Sequence, residues 1–557
     1  MQIKPNKKFT TLTALLMLLM LVAGAVGYIT VPMHFNMHDE PYQIMCGWDY
    51  RSSVVAPLSA WITSTVGPLW HFDCLPFHIL GWTLHNIAVL IAMLPVWWLS
   101  RNINTTLAAG TVSIFLLAMC RNVEWIYNWD SYAAPMLIAV AAAGISYCLR
   151  RTWWKIAIAG AFCAVLTMLR MPSIVAVALP LAAILSAEDR AKQKIKAIAC
   201  LLAIFAITAA GILIMLYGSV GSYVGMIKAH TITAHSSDTL SYVTGVAMHI
   251  IFIYAFAAAG VVLIVDKLGI AKKKTPAAAA LTAAVAICFY IALRTGIDAI
   301  NTVMVAPWFF LSPLYVVAET YLIWKAKGKM RTVALIALMA TLASCVGSNV
   351  PIYKMAVFQT MPIIVYLMAV YCTSRAERAN LCAIFIPILA LSFENETYVL
   401  RSEWKSPVQP APHHLRGVPH MRGMWVNWWD YDRMQRIADR FMPFVNDPAY
   451  NTAVMRNGGY GYFFEYIFDS RTPFYSHFWD DTPLLLEKDY TDRFTRWIES
   501  SKRPVAVLIV RNPNAPAEPQ EEIIGEYMER YRTVYSDRDF TIVIREPQIT
   551  SMSDSRR

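Results

Sequence analysis

Charge is scarce in these 557 residues: 15% are Asp, Glu, Lys or Arg, against 57% apolar, and the mean hydropathy is +0.44. A chain of this size with so little charge cannot cover a water-facing surface, which excludes a soluble globular protein. Cysteine is also sparse. Eight of the ten fall in apolar segments or at their edges, and none follows Ser392, so no disulfide scaffold is present. Only Cys46 and Cys74 lie outside the apolar runs, either as a disulfide or as two thiols. Internal repeats, heptads, low-complexity tracts and a Gly-rich phosphate loop are all missing. Solenoids, coiled coils and nucleotide-binding folds are therefore not indicated.

The net charge of +11 is not a nucleic-acid signature. Residues 1–392 hold 27 basic and 13 acidic side chains, whereas residues 393–557 hold 21 and 24. The excess lies wholly in the apolar part, and no single basic face collects it.

What is present is a series of long apolar runs. The first, 9–31, follows Lys4, Lys7 and Lys8, exceeds a signal-peptide core and reads as an anchor. Others follow at about 76–99, 104–120, 131–149, 153–169, 172–187, 196–217, 243–265, 277–293, 302–324, 332–348, 351–372 and 380–393, about thirteen spans in all. Alternating the sides puts 21 basic residues on the N-terminal side and six opposite: Arg51, Arg121, Arg170, Lys228, Arg294 and Lys354. By the positive-inside rule the N-terminus is cytoplasmic, and the odd span number leaves the C-terminus outside. The expected fold is thus a polytopic α-helical membrane protein. Its transmembrane module is 1–392 with a first exterior loop at 32–75, and 393–557 form an exterior α/β domain. Helices are expected near Asp430–Phe441, Leu484–Ser500 and Glu521–Tyr531, and strands at Val505–Val510 and Phe540–Ile544. The aromatic stretch Gly458–Asp481 suits sugar stacking, a membrane surface or packing.

Chemistry concentrates on the exterior side. Asp39 and Glu40 follow the first span directly, and an acidic pair at a membrane surface is costly unless used. Six isolated cations on six exterior loops, where the charge rule disfavours them, suggest a converging anion site. The bland alternatives are snorkelling for the cations and an N-cap role for Asp130. A sugar leaving from a lipid phosphate needs one base and several cations, because the phosphate leaves as an anion without a proton donor. His34 and His38, four apart, and His71, His78 and His85, seven apart, are metal-ligand spacings without a complete motif. The expectation is no cofactor, with a divalent metal possible but not indicated. The long segment Gly218–Thr244 reads as an exterior loop suited to a lid.

These residues resemble the GT-C glycosyltransferases, in the branch containing protein O-mannosyltransferases and lipid A aminoarabinose transferases. Asp39-Glu40 resembles their first-loop acidic motif. Ala56-Pro57-Leu58 is similar to a Pro-Pro-Leu stretch with its first Pro replaced. Cys74-Leu75-Pro76-Phe77 stands at an Arg-Leu-Pro segment without the Arg, Asp130 matches a second Asp, and Thr167–Pro172 (TMLRMP) resembles a Thr-Lys-Gly-Pro-like element. The resemblance implies a glycosyltransferase of the bacterial inner membrane, with the C-terminal domain periplasmic. It would move a sugar from a polyprenyl-phosphate donor to an acceptor hydroxyl on a lipid, glycan or protein of the cell envelope. Asp39 would be the base, Glu40 and Asp130 would orient substrate, and Arg121, Arg170, Arg294, Lys228 and Lys354 would bind the donor phosphate. The rival readings are a polymerase or ligase, or a flippase or transporter, of lipid-linked glycans.

Overall fold

The computed structural model describes residues 10–33, 39–53, 55–119, 127–233, 318–323, 325–346, 357–371, 413–426, 428–455, 457, 460–470, 488–512 and 517–547. The expected spans at 243–265, 277–293 and 380–393, and most of 302–324, lie outside these residues. Among the described residues, four helices are long and apolar enough to cross a membrane: α1 (Thr11–Thr30), α4 (Cys74–Ser100), α6 (Trp129–Leu149) and α9 (Ala191–Tyr217). Shorter apolar helices are α5 (Ile103–Met119) and α7 (Trp153–Leu169). The chain is a multi-pass helical membrane protein. It divides into two compact units, 1–31 with 54–59 and 79–405, and 32–53 with 60–78 and 406–557.

The first unit is the helical one. A reciprocal cap starts α1: Thr10 accepts from the Thr13 amide and Thr13 from the Thr10 amide, each at 3.2 Å. Close approach then joins α1 to α4. A Cβ on Gly27 would lie 2.0 Å from the Trp82 indole, whose Nε1 donates to the Gly24 carbonyl at 3.1 Å. On α1 and α9 many apolar side chains stay uncovered, including Leu21 at 66% and Ile207 at 68% exposure, the pattern of lipid-facing surface. By contrast α6 is mostly buried and packs on α7, on α8 (Ala178–Leu185) and on α11 (Lys329–Cys345). After α9, Gly218 adopts a left-handed φ of 78° that ends the helix. The chain then forms a further helix, α10 (Val220–Thr233), where a loop is expected from the sequence. The remainder of that expected loop, 234–244, lies outside the described residues.

The second unit contains a four-stranded sheet ordered β1-β2-β4-β3, with β1 (Asn451–Met455) parallel to β2 (Val505–Val510) and β4 (Phe540–Arg545) antiparallel to β2 and β3 (Arg532–Ser536). Both central strands are buried at every position, which is why VAVLIV reads as a continuous apolar run. Phe494, Ile498, Ile524 and Tyr527 pack on the sheet from helices Lys488–Ser500 and Ala517–Arg530. The aromatics Tyr462, Phe463, Phe464 and Tyr466 on the helix Tyr460–Ile467 are buried, so these side chains serve packing rather than an open sugar platform. Segments 32–53 and 60–78, read from sequence as part of a membrane-module loop, belong to this unit. They include α2 (Asp39–Met45) and most of α3 (Pro57–Val66).

Candidate functional site

Two constellations of polar side chains stand out, one in each unit. In the helical unit, α6 opens on a reciprocal cap between Asn128 and Ser131: Asn128 Oδ1 accepts from the Ser131 amide at 3.0 Å, and Ser131 Oγ from the Asn128 amide at 3.2 Å. Asn128 is therefore the N-cap, which frees Asp130 in the first turn for another role. Asp130 Oδ1 lies 2.6 Å from Arg170 Nε. Arg170 ends α7, because Pro172 cannot continue the helix, and extended backbone (φ −157°) swings its side chain out of the helical path. Its Nη1 donates to Ser173 Oγ at 3.3 Å.

The Ala56-Pro57-Leu58 stretch supports the same place. Ser59 Oγ donates to the Leu169 carbonyl at 2.8 Å, and the Met171 amide donates to the Val55 carbonyl at 2.9 Å. Three of the sequence motifs thus meet here: the APL stretch, Asp130 and the TMLRMP element.

Arg170 is 5% exposed, and its contacts with Asp130 and Ser173 use two of its five N–H donors. A guanidinium whose Nε is held by a carboxylate can offer its other N–H groups to an anion. His85 Nε2 lies 3.5 Å from Ser131 Oγ in the same unit. Deeper in the helices, buried Glu319 accepts from Thr341 Oγ1 at 3.0 Å, and Thr341 lies 3.2 Å from Thr360 Oγ1.

In the second unit, Glu40 on α2 lies 2.9 Å from His78 Nε2, with Glu40 1% exposed and His78 fully buried. Cys74, one turn before His78 on α4, completes a group whose ligand atoms all lie within 4.8 Å of one another. Cys46 and Cys74 are separate buried thiols, not a disulfide.

The turn leading to Cys74 is strained: His71 and Phe72 both occupy left-handed backbone, with φ of 51° and 57°. It is held by the Tyr466 hydroxyl, which donates to the Phe72 carbonyl at 2.7 Å, and by the Phe72 amide, which donates to the Gly67 carbonyl at 2.8 Å. A Cβ at Gly67 would meet the Phe72 ring at 2.2 Å, so any larger residue there requires the ring to move. Next to it, Asp73 Oδ1 lies 3.4 Å from His420 Nδ1, and the His420 ring stacks on Tyr466. Burial raises the Asp73 carboxyl above its ordinary range, against the opposing pull of His420, and lowers the His420 imidazole. Burial, with the nearby Cys74, Asp73 and Glu40, also holds the Tyr466 phenol well above its usual value.

The structure brings together Asp130 and Arg170, and places Glu40 with His78 and Cys74. Asp39 begins α2. Lys228 is exposed on α10, which packs on α9. Arg121, Arg294, Lys354, His34 and His38 lie outside the described residues. The stripe expected of His71, His78 and His85 does not form one ligand set: His71 caps a short 3-10 turn, His78 meets Glu40 and His85 meets Ser131. Sequence reasoning passed over Cys74 as a metal ligand and His420 as the partner of Asp73. The i, i+4 spacing of Cys74 and His78 is the one signal for the former.

No protein-family model matches the chain, and no curated protein matches it. Among solved structures it is similar to "Crystal Structure of ArnT from Cupriavidus metallidurans in the apo state", with a TM-score of 0.47 and 11% identity, over 96% of this chain and 98% of that one. The likeness is one of chain path and assigns no side chain a role.

Proposed function

We propose that this protein is a membrane glycosyltransferase that moves a sugar from a polyprenyl-phosphate donor to an acceptor hydroxyl at the exterior face of the bacterial inner membrane. The observation that carries the reading is Arg170: buried, oriented by Asp130, and left with donors for an anion. A guanidinium with its Nε fixed by a carboxylate presents the remaining N–H groups in a fixed fork, which suits phosphate oxygens. Asp39 takes the acceptor hydroxyl proton as the oxygen attacks the anomeric carbon. The bond from that carbon to the donor oxygen breaks, and its electron pair leaves on the phosphate. Attack opposite the leaving group inverts the anomeric centre. Arg170 stabilises the charge that grows on the phosphate, which is where fixed donors contribute most. Asp130 is a positioning residue for Arg170.

The test separates the two roles. Full-length protein in lipid nanodiscs is assayed for binding of a polyprenyl phosphate, the part of the donor that does not depend on the sugar, and for transfer from the sugar-bearing lipid. Arg170→Ala should lose binding, whereas Asp39→Asn should bind normally and lose transfer. Transfer retained in Asp39→Asn overturns the base assignment, and undiminished binding in Arg170→Ala overturns the phosphate assignment.

One observation favours a second reading. Glu319 is a buried acid among apolar helices with two threonine hydroxyls beside it, and buried intramembrane acids often lie on transport paths. Under the transporter reading Glu319→Gln stops movement of a lipid-linked glycan across the bilayer; under the transferase reading it leaves chemistry in place.

A further inference from the structure

Glu40, Cys74 and His78 place a carboxylate, a thiol and an imidazole in one buried cluster, contributed by α2 and by the first two turns of α4. We propose that these three side chains bind a zinc ion. The inference does not depend on the glycosyltransferase reading, because it concerns what holds the 32–78 segments together and not which substrate they serve.

Burial excludes the ordinary alternative of a solvated carboxylate. Glu40 is 1% exposed, and Cys74 and His78 are fully buried. Groups of this kind persist inside proteins when they are paired or bound to metal. Without metal, His78 Nε2 and Glu40 Oε2 form a buried polar contact at 2.9 Å, and Cys74 is a small hydrophobe. With zinc, the same atoms are cis ligands. Donors about 2.0–2.3 Å from a tetrahedral zinc lie roughly 3.3–3.6 Å apart. The cluster spans 2.9 Å at its shortest contact and stays within 4.8 Å, so side-chain shifts below an ångström close it.

The donor types choose the ion. A thiolate beside an imidazole disfavours Mg²⁺ and Ca²⁺, which take oxygen ligands, and one carboxylate with one thiolate and Zn²⁺ sum to zero charge. A neutral assembly is the form that a buried site tolerates. Binding releases the thiol proton, so uptake strengthens as pH rises.

The ligands Cys74 and His78 follow directly on the tandem left-handed residues His71 and Phe72. Left-handed backbone at two successive residues persists where surrounding structure over-determines it. A metal crosslink between α2 and the start of α4 is a fixed point of that kind, and it also sets the helix on which Asp39 begins.

The full-length protein, purified in detergent without a polyhistidine tag from zinc-supplemented cells, is tested by elemental analysis. About one zinc per chain is expected, falling at least about tenfold in Cys74→Ser and in His78→Asn. Because those variants can misfold, wild-type protein exchanged with Co²⁺ supplies a second measurement. A thiolate-to-cobalt charge-transfer band should appear, and only a cysteine ligand produces it. Wild-type protein that carries no zinc overturns the proposal. So does zinc without a thiolate band in the cobalt form, or a band that survives in Cys74→Ser, since each places the ion elsewhere. A melting temperature that rises with added zinc in wild type but not in His78→Asn supports it.

Discussion

Arg170 Nε sits 2.6 Å from Asp130 Oδ1, joining the end of one helix to the first turn of another across forty residues of sequence. Both groups are largely sheltered, so the pair is worth less than its Coulomb energy but is expensive to break from one side. Asp130→Ala should therefore cost about 3–5 kcal/mol of stability and also weaken polyprenyl-phosphate binding, because Arg170 loses its orientation. Arg170→Lys keeps the charge and loses the fork. It should weaken phosphate binding at least about tenfold with a smaller loss of stability. Denaturation midpoints and lipid titrations in nanodiscs check both; phosphate affinity unchanged in both variants would leave the pair purely structural.

His420 and Asp73 make the second unit sensitive to mild acid. Burial lowers the folded imidazole below its ordinary value near 6.5, so the unfolded chain takes up a proton first as pH falls. Stability contributed by neutral His420 is thus fully present above about pH 6.5 and is lost as pH drops toward the lower folded value. Asp73 has the opposite sign. Its folded carboxyl is raised, so its ionisation costs stability as pH rises above the ordinary carboxylate value. A fall in stability as pH drops from about 7 to 5.5 therefore comes from His420 and not from Asp73. His420→Gln should flatten the fall in unfolding midpoint across that interval; an unchanged slope would remove His420 as its source.

The membrane fold was legible in the sequence because lipid imposes long apolar runs, and α1, α4, α6, α7 and α9 lie where those runs lie. The APL stretch, Asp130 and TMLRMP were legible as motifs, and they meet in one unit. Strand β3 was not legible, because it is an edge strand exposed at nearly every position and carries no alternating pattern. Strand β1 was missed because only its last three residues, Ala453, Val454 and Met455, are apolar and buried. Glu40 was legible as an acid but not as a partner of His78, since a contact across 38 positions leaves no local trace. Cys74 was hidden by its surroundings, because a cysteine opening an apolar helix reads as one more small hydrophobe.

The turn before Cys74 separates strain from packing at neighbouring positions. His71 is exposed with φ at 51°, a conformation costing an ordinary residue roughly 1–2 kcal/mol and glycine little. Glycine adds about 0.5–1 kcal/mol of chain entropy to folding, so His71→Gly should be neutral or stabilising by up to about 1 kcal/mol. Tyr466→Phe removes the hydroxyl that holds the Phe72 carbonyl and should cost about 0.5–1.5 kcal/mol. Denaturant titration of the two variants checks the signs. Destabilisation by His71→Gly would show that the imidazole itself is used.

Gly27 tests the seam between the first span and α4. The indole of Trp82 occupies the place a side chain would take, with Cζ2 2.0 Å from the position of a Cβ and Nε1 bonded to the Gly24 carbonyl. Alanine therefore cannot enter without moving a ring packed on two sides, and the bond to Gly24 moves with it. Helix propensity alone would favour Gly27→Ala by about 1 kcal/mol, while overpacking costs typically 1–3 kcal/mol and the displaced hydrogen bond about 1 more. The balance is a net loss of roughly 1–3 kcal/mol. Gly27→Ala should lower the melting temperature of the detergent-solubilised protein, and the double variant Gly27→Ala with Trp82→Phe should recover part of it, because the smaller ring vacates the site. If the double variant is no more stable than the single one, the two helices do not meet through this pair.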